Sequence, residues 1–107
     1  MNKIRRIQLG YIISDLDEME IAEMTEAVSQ SIKECTERVQ DLLEAEEEAL
    51  ENIPDNLRDY DRAALLEENI DMFYDAVGLL EEAEEAEDAE SAMSLIQEAI
   101  GTLEGIE

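Results

Sequence analysis

Between residues 81 and 90 the chain places seven carboxylates in ten positions: Glu81, Glu82, Glu84, Glu85, Glu87, Asp88 and Glu90. Carboxylates can serve as general acids and bases, ligate hard cations, or stand in for phosphate oxygens. As one helix this stretch would be ~15 Å long, about one negative charge per ~2 Å, close to the one per ~1.7 Å of duplex DNA. A second cluster, Glu44, Glu46, Glu47, Glu48 and Glu51, lies just before the sole proline, Pro54. Held on stiff helices, these side chains would act as phosphate surrogates toward a basic groove.

The other chemistries find less support. The chain has no His or Trp and a single Cys, which excludes Cys-His and Ser-His-Asp nucleophile systems. Paired carboxylates for glycoside hydrolysis discriminate nothing where carboxylates are everywhere. Gly10, Gly78, Gly101 and Gly105 stand singly within helical patterns, so no phosphate-cradling loop is formed. Zinc lacks its usual ligands. Asp55, Asp59 and Asp61 lack the glycine and closing glutamate of a calcium loop. No catalytic residue, specific metal site or cofactor is expected, and the chain reads as a binder, not an enzyme.

The charge is unevenly placed. Arg62 is the last cation, and residues 63–107 carry fourteen acids and no base. Of the net charge of -24, that segment supplies -14 and the first 62 residues -10. Self-repulsion on this scale weakens a compact state, so a partner outside the chain is the expected reason for it. Two blander readings stand beside this one. An acidic face is commonly just a solvated face, and apolar stripes can serve a structural or scaffolding role by pairing with other helices.

At 107 residues there is room for one domain, and the hydrophobic fraction of 45% includes twelve alanines and only four aromatics. Such a core is thin, which makes a homodimer possible. Cys35 falls on the helical stripe Val28, Ile32, Cys35, Val39 and reads as a buried thiol. No run reaches the ~18 apolar residues of a membrane span, and the chain reads as soluble and cytoplasmic.

The elements that must position the acids are helical. Ile21, Met24, Val28, Ile32, Cys35, Val39, Leu42, Leu43, Ala49, Leu50 and Ile53 recur at steps of three and four, predicting a helix over residues 19–53. Pro54, Asp55 and Asn56 break it. Leu66, Ile70, Phe73, Val77 and Leu80 predict a third helix over residues 60–86, capped by Asp59 or Asp61. Met93, Ile96, Ile100 and Leu103 predict a fourth over residues 89–105, capped by Asp88 or Ser91, with one continuous helix as the alternative. At the front, residues 3–14 predict a short basic helix with Ile4, Ile7 and Tyr11 on one face and Ser14 or Asp15 capping the next. Whether these first two helices fuse is left open by the pattern. Lys3, Arg5 and Arg6 are expected to lie against carboxylates of another segment or subunit. The fold class is therefore all-α: an elongated antiparallel helical hairpin or coiled-coil bundle, bent at Pro54, spanning residues 1–107.

Three segments carry a resemblance: Met1-Asn2-Lys3-Ile4-Arg5-Arg6, then Glu51-Asn52-Ile53-Pro54-Asp55-Asn56-Leu57, then Ala76-Val77-Gly78-Leu79-Leu80-Glu81-Glu82-Ala83. The chain resembles short acidic helical proteins of bacteriophages and mobile elements of Gram-positive bacteria. The match covers the ends and the elbow, while residues 15–40 have no counterpart. By itself it implies a fold and no agreed activity. Small acidic phage proteins include inhibitors of host nucleases and CRISPR effectors, several of them DNA mimics, and this chain is similar to such anti-CRISPR proteins in size and charge. The resemblance thus implies a phage inhibitor that occludes the nucleic-acid channel of a basic host protein, a nuclease or other DNA-processing protein, with no direct contact to nucleic acid or membrane. No functional residue carries over by position.

Overall fold

The computed structural model describes residues 1–57 and 61–107, and these form helices with no strand among them. Helix α1 spans Lys3–Asp17, α2 Glu26–Glu51, α3 Asp61–Glu84 and α4 Ala89–Glu104, with a single 3-10 turn at Asp55–Leu57 after Pro54. The all-α class and the elbow thus hold. Asp61 opens α3, whereas the alternative cap, Asp59, lies outside the described residues.

Two boundaries differ from the sequence pattern by more than two residues. α1 continues through Ser14 and Asp15 to Asp17, so neither residue caps a following helix. α2 begins seven residues later than Met19, with Thr25 as its cap, whose hydroxyl accepts a hydrogen bond from the Val28 amide at 3.2 Å. The two helices are separate. Met19, Ile21 and Met24 between them are half-buried against the core, so their apolar character covers one end of the bundle and does not extend α2. A loop that must close a bundle end needs apolar side chains as much as a helix does, and spacing alone cannot tell the two uses apart.

α4 starts where expected. The Asp88 carboxylate accepts a hydrogen bond from the Ser91 amide at 2.7 Å, which makes Asp88 the cap and Ser91 its partner. α3 and α4 are therefore two helices, not one continuous rod.

The architecture is a four-helix ring. α2 packs against α3, α3 against α4, and α1 against both α2 and α4, which leaves α1 and α3 on a diagonal. α2 and α3 run antiparallel: Ser29 near the start of α2 donates to the Glu84 carbonyl near the end of α3, while Glu47 and Tyr74 meet farther along. One core draws on all four helices, with Leu16, Ile32, Phe73, Leu80, Ile96 and Leu103 sealed from solvent. Ala76, Ala83, Ala92 and Ala99 of α3 and α4 are also fully buried, and small side chains of this kind suit close packing of the two helices; of the alanines in the acidic stretch, Ala83 is among them and Ala86 and Ala89 are half-buried. The result is a rod whose principal extents are 51 × 21 × 19 Å.

α1 carries two apolar faces, and only one of them enters the core. Ile4, Ile7 and Tyr11 do share a face, but they are 67%, 48% and 65% exposed, and Leu9, Ile12 and Leu16 enter the core instead. Steps of three and four occur on both sides of this helix. Leu9, Ile12 and Leu16 lie on the same side as Arg5, which pairs with Glu46 of α2 at 2.9 Å.

Candidate acidic interface

The two carboxylate clusters hang on the long helices and face outward for most of their length. Near the start of α2, a cleft of about 440 Å³ is lined by Ser29, Lys33, Glu81, Glu82, Glu84 and Glu85. Glu81, Glu82 and Glu85 are exposed, and Glu84 is half-buried. Burial pushes the Glu84 carboxyl above its ordinary range, and Glu81, Glu85 and Glu37 push it the same way, with Lys33 opposing. Glu87, Asp88 and Glu90 are exposed, but the helix ends at Glu84 and restarts at Ala89. The acidic run therefore wraps around one end of the bundle and does not lie along one straight axis. Asp88 has a second duty, since the hydrogen bond from Ser91 holds its carboxyl below the usual range.

The second cluster divides. Glu44, Glu48 and Glu51 are exposed on one line along α2. Glu47 is half-buried and accepts a hydrogen bond from the Tyr74 hydroxyl at 3.0 Å; that bond pushes the Tyr74 phenol above its ordinary value. Glu46 faces the opposite way. It is fully buried, and its carboxylate accepts from Arg5 Nε at 2.9 Å and from Asn69 Nδ2 at 3.4 Å. A side chain sealed in this way presents no charge to a partner, so Glu46 belongs to the scaffold.

Around Glu46 a polar node ties the helices together. Asn69 Oδ1 accepts from the Glu107 amide at 3.2 Å, and the Glu107 main-chain oxygen accepts from Arg6 Nη2 at 2.6 Å. α1, α2, α3 and the chain beyond α4 meet there. The expectation that basic residues of α1 lie against another segment holds for Arg5, while the second ion pair found among the described residues is Arg38 with Asp15 at 2.7 Å. The node has a sequence signal that the stripe analysis passed over: Glu46 and Asn69 occupy apolar positions of their helices, Glu46 between Leu42 and Leu50 and Asn69 between Leu66 and Phe73.

Beyond the two clusters, the fold aligns acids that cluster counting had missed. On α2, Glu37, Asp41, Glu44, Glu48 and Glu51 recur at steps of three and four, and all five are exposed. They form one outward ladder with a carboxylate every ~5 Å. On α3, Glu67, Asp71, Asp75 and Glu82 form a second exposed ladder, with Gly78 filling the step between Asp75 and Glu82 and Glu85 continuing it in the turn just beyond the helix. No cation interrupts either series. The periodicity that exposes an apolar stripe in a sequence would have found both, had it been applied to the acids. The ladders sit on neighbouring antiparallel helices, whose axes pack ~8–10 Å apart.

Among the described residues no group of three or more Cys, Asp or Glu side chains is arranged to hold a metal ion. No described helix is long and apolar enough to cross a membrane. No protein-family model matches the chain, and no curated protein or solved structure matches it, so the reading of this surface rests on its own geometry and charge.

Proposed function

We propose that this protein is a nucleic-acid mimic: an inhibitor that occupies the basic nucleic-acid channel of a DNA-processing or defence protein, such as a nuclease, in place of polynucleotide. The observation that carries the reading is the pair of cation-free carboxylate ladders along antiparallel helices α2 and α3. The overall charge supports it. A net charge of -24 along a 51 Å rod is about one per ~2 Å, again near the duplex value. A channel lined with Lys and Arg would bind such a rod by the same release of counterions that drives its binding to phosphates. The scaffolding alternative loses its expected contact surface, because Phe73 and Val77 are buried in the core of the bundle itself and Ile70 is half-buried against it.

The test is capture of basic proteins from a bacterial lysate at low salt and at half-molar salt, followed by competition of the captured protein with duplex DNA. Reversal of Glu81, Glu82, Glu85 and Glu87 to Lys is the matching variant; Asp88 is left intact because it caps α4. The mimic reading expects capture that duplex DNA displaces, that half-molar salt abolishes and that the reversed variant lacks. Binding that survives both the salt and the reversal refutes it.

A further inference from the structure

Tyr74 interrupts the acidic face at its middle. The α3 ladder runs from Glu67 to Glu82, with Tyr74 halfway along it, and the Tyr74 hydroxyl reaches across to α2 to donate to Glu47 at 3.0 Å. Tyr74 is 54% exposed and is the one large apolar side chain exposed on α2 or α3. A single exposed aromatic is ordinary on a protein surface. This one is set apart by its place and by the bare backbone next to it. Gly78 lies one turn beyond Tyr74 on the same helix and is exposed. A helical side chain covers the turn before its own Cα, so a residue larger than glycine at 78 would lie over the turn that carries Tyr74. Packing does not require glycine there, because a Cβ at this position meets nothing within 4 Å. Glycine in a helix interior weakens the helix relative to alanine, so the open space beside the ring comes with a less stable α3.

We infer that Tyr74 is the anchor of the acidic face: its ring takes an arginine side chain of the partner against it, in the space that Gly78 leaves open, while the ladders hold the surrounding cations. The inference rests on the reading of the α2 and α3 face as the partner surface. A guanidinium over an aromatic face is attracted by the ring quadrupole, and Arg is more weakly hydrated than Lys, so it gives up water for such a stack more readily. In a nucleic-acid site the same guanidinium plane stacks on an unpaired base. Asp71 and Asp75, the ladder residues nearest Tyr74 in the chain, are exposed and supply the counter-charge. The bond to Glu47 holds the ring in place before a partner arrives, which lowers the ordering cost of the contact. Interface energy concentrates in tyrosine and arginine near the centre of a patch, and Tyr74 has that position. The carboxylates attract Lys and Arg alike by charge, whereas the ring discriminates between them.

Hexa-arginine and hexa-lysine peptides, equal in charge, are the probes, titrated by calorimetry at about 50 mM NaCl into the native protein and its variants. Native protein binds hexa-arginine more tightly, and its Tyr74 ring protons show intermolecular NOEs to the arginine δ-methylenes. Tyr74→Gln weakens hexa-arginine about threefold, the effect of one exposed cation–π contact, and leaves hexa-lysine nearly unchanged. Tyr74→Phe keeps the ring, loses the bond to Glu47 and retains the arginine preference. Gly78→Gln melts at a higher temperature than native protein and yet weakens hexa-arginine about threefold, a loss that instability cannot explain. Equal losses for the two peptides in Tyr74→Gln, a Tyr74→Phe as weak as Tyr74→Gln, or native hexa-arginine affinity in Gly78→Gln overturns the inference. Those results leave the mimic reading intact, because it rests on the carboxylates. Failure of duplex DNA to displace a captured protein refutes the mimic reading without touching the arginine preference.

Discussion

Arg5→Ala isolates the buried node. In the native chain the Glu46 carboxylate is fully enclosed, with Arg5 Nε at 2.9 Å and Asn69 Nδ2 at 3.4 Å. Removing the guanidinium leaves a carboxylate with one weak donor and no counter-charge. Breaking a buried pair from one side costs ~3–5 kcal/mol. The Arg5 side chain is 18% exposed, so water reaches the site once it is cut back, and the lower end, about 3 kcal/mol, applies. For a chain of this length each kcal/mol shifts the thermal midpoint by about 4 °C, so the variant melts about 12 °C lower. Replacing both partners, Arg5→Met with Glu46→Met, removes the charge together with its counter-charge and recovers most of the loss, or exceeds the native stability. Urea unfolding followed by circular dichroism reads all three proteins, with an unchanged slope showing that the denatured state is not the cause. A loss under 1 kcal/mol for Arg5→Ala, or a double variant no better than the single one, refutes the account of a buried ion pair whose desolvation must be matched by its partner.

Four further outcomes follow from local chemistry. Glu84 has a folded-state value raised above its ordinary 4.5, so its charged form is disfavoured by folding; this contribution favours the folded state below 4.5 and is lost as pH rises through the raised value, and Glu84→Gln should raise the midpoint measured at pH 7. Asp88 has the opposite sign: held below 3.8, it contributes stability that is present above that pH and lost as pH falls through its lowered value, so the thermal midpoint should drop at strongly acid pH in the native chain and drop less in Asp88→Asn, and an identical acid limb in the two would contradict this. Thr25→Ala removes the cap of α2 and should cost about 1 kcal/mol in urea unfolding, with Thr25→Ser close to native; equal loss in both would contradict the cap. Cys35 is buried, and desolvation raises its thiol above 9.0, so a thiol reagent should label it far more slowly in native protein than in urea, and equal rates would refute its burial.

The helix count, the elbow at Pro54 and the break before α4 were legible because each has a local cause: a proline, an Asp cap, a stripe with a three-four step. The rotation of α1 was not. Both Ile4, Ile7, Tyr11 and Leu9, Ile12, Leu16 satisfy the helical period, and the face that is buried makes contacts distant in sequence, such as that of Arg5 with a carboxylate 41 positions away. The start of α2 was missed because Met19, Ile21 and Met24 continue the stripe while serving as a lid on the bundle end. In the acidic surface the local clusters were evident, but Glu46 was counted among the exposed acids and Glu37, Asp41, Glu67, Asp71 and Asp75 were not. Density along the chain and display on a surface are different quantities, and only helical phase converts one to the other.

The same phase explains how the rod tolerates its charge. The two dense clusters could not share one end of the bundle without strong mutual repulsion. Antiparallel packing separates them: the end of α3 lies beside Ser29, and the Glu44 to Glu51 group follows at least fifteen residues later along α2, ~22 Å away. At physiological ionic strength that is more than two Debye lengths of ~8 Å, so one cluster barely senses the other. Within a ladder the carboxylates are only ~5 Å apart and are not screened from their neighbours, which leaves the repulsion local and spread along the rod. Lowering the salt to ~0.01 M extends the Debye length to ~30 Å and couples the clusters. The thermal midpoint should therefore fall steeply below about 50 mM salt, where the clusters couple, and go on rising more gently above physiological strength as the repulsion within each ladder is screened; a midpoint that does not respond to salt would refute this account.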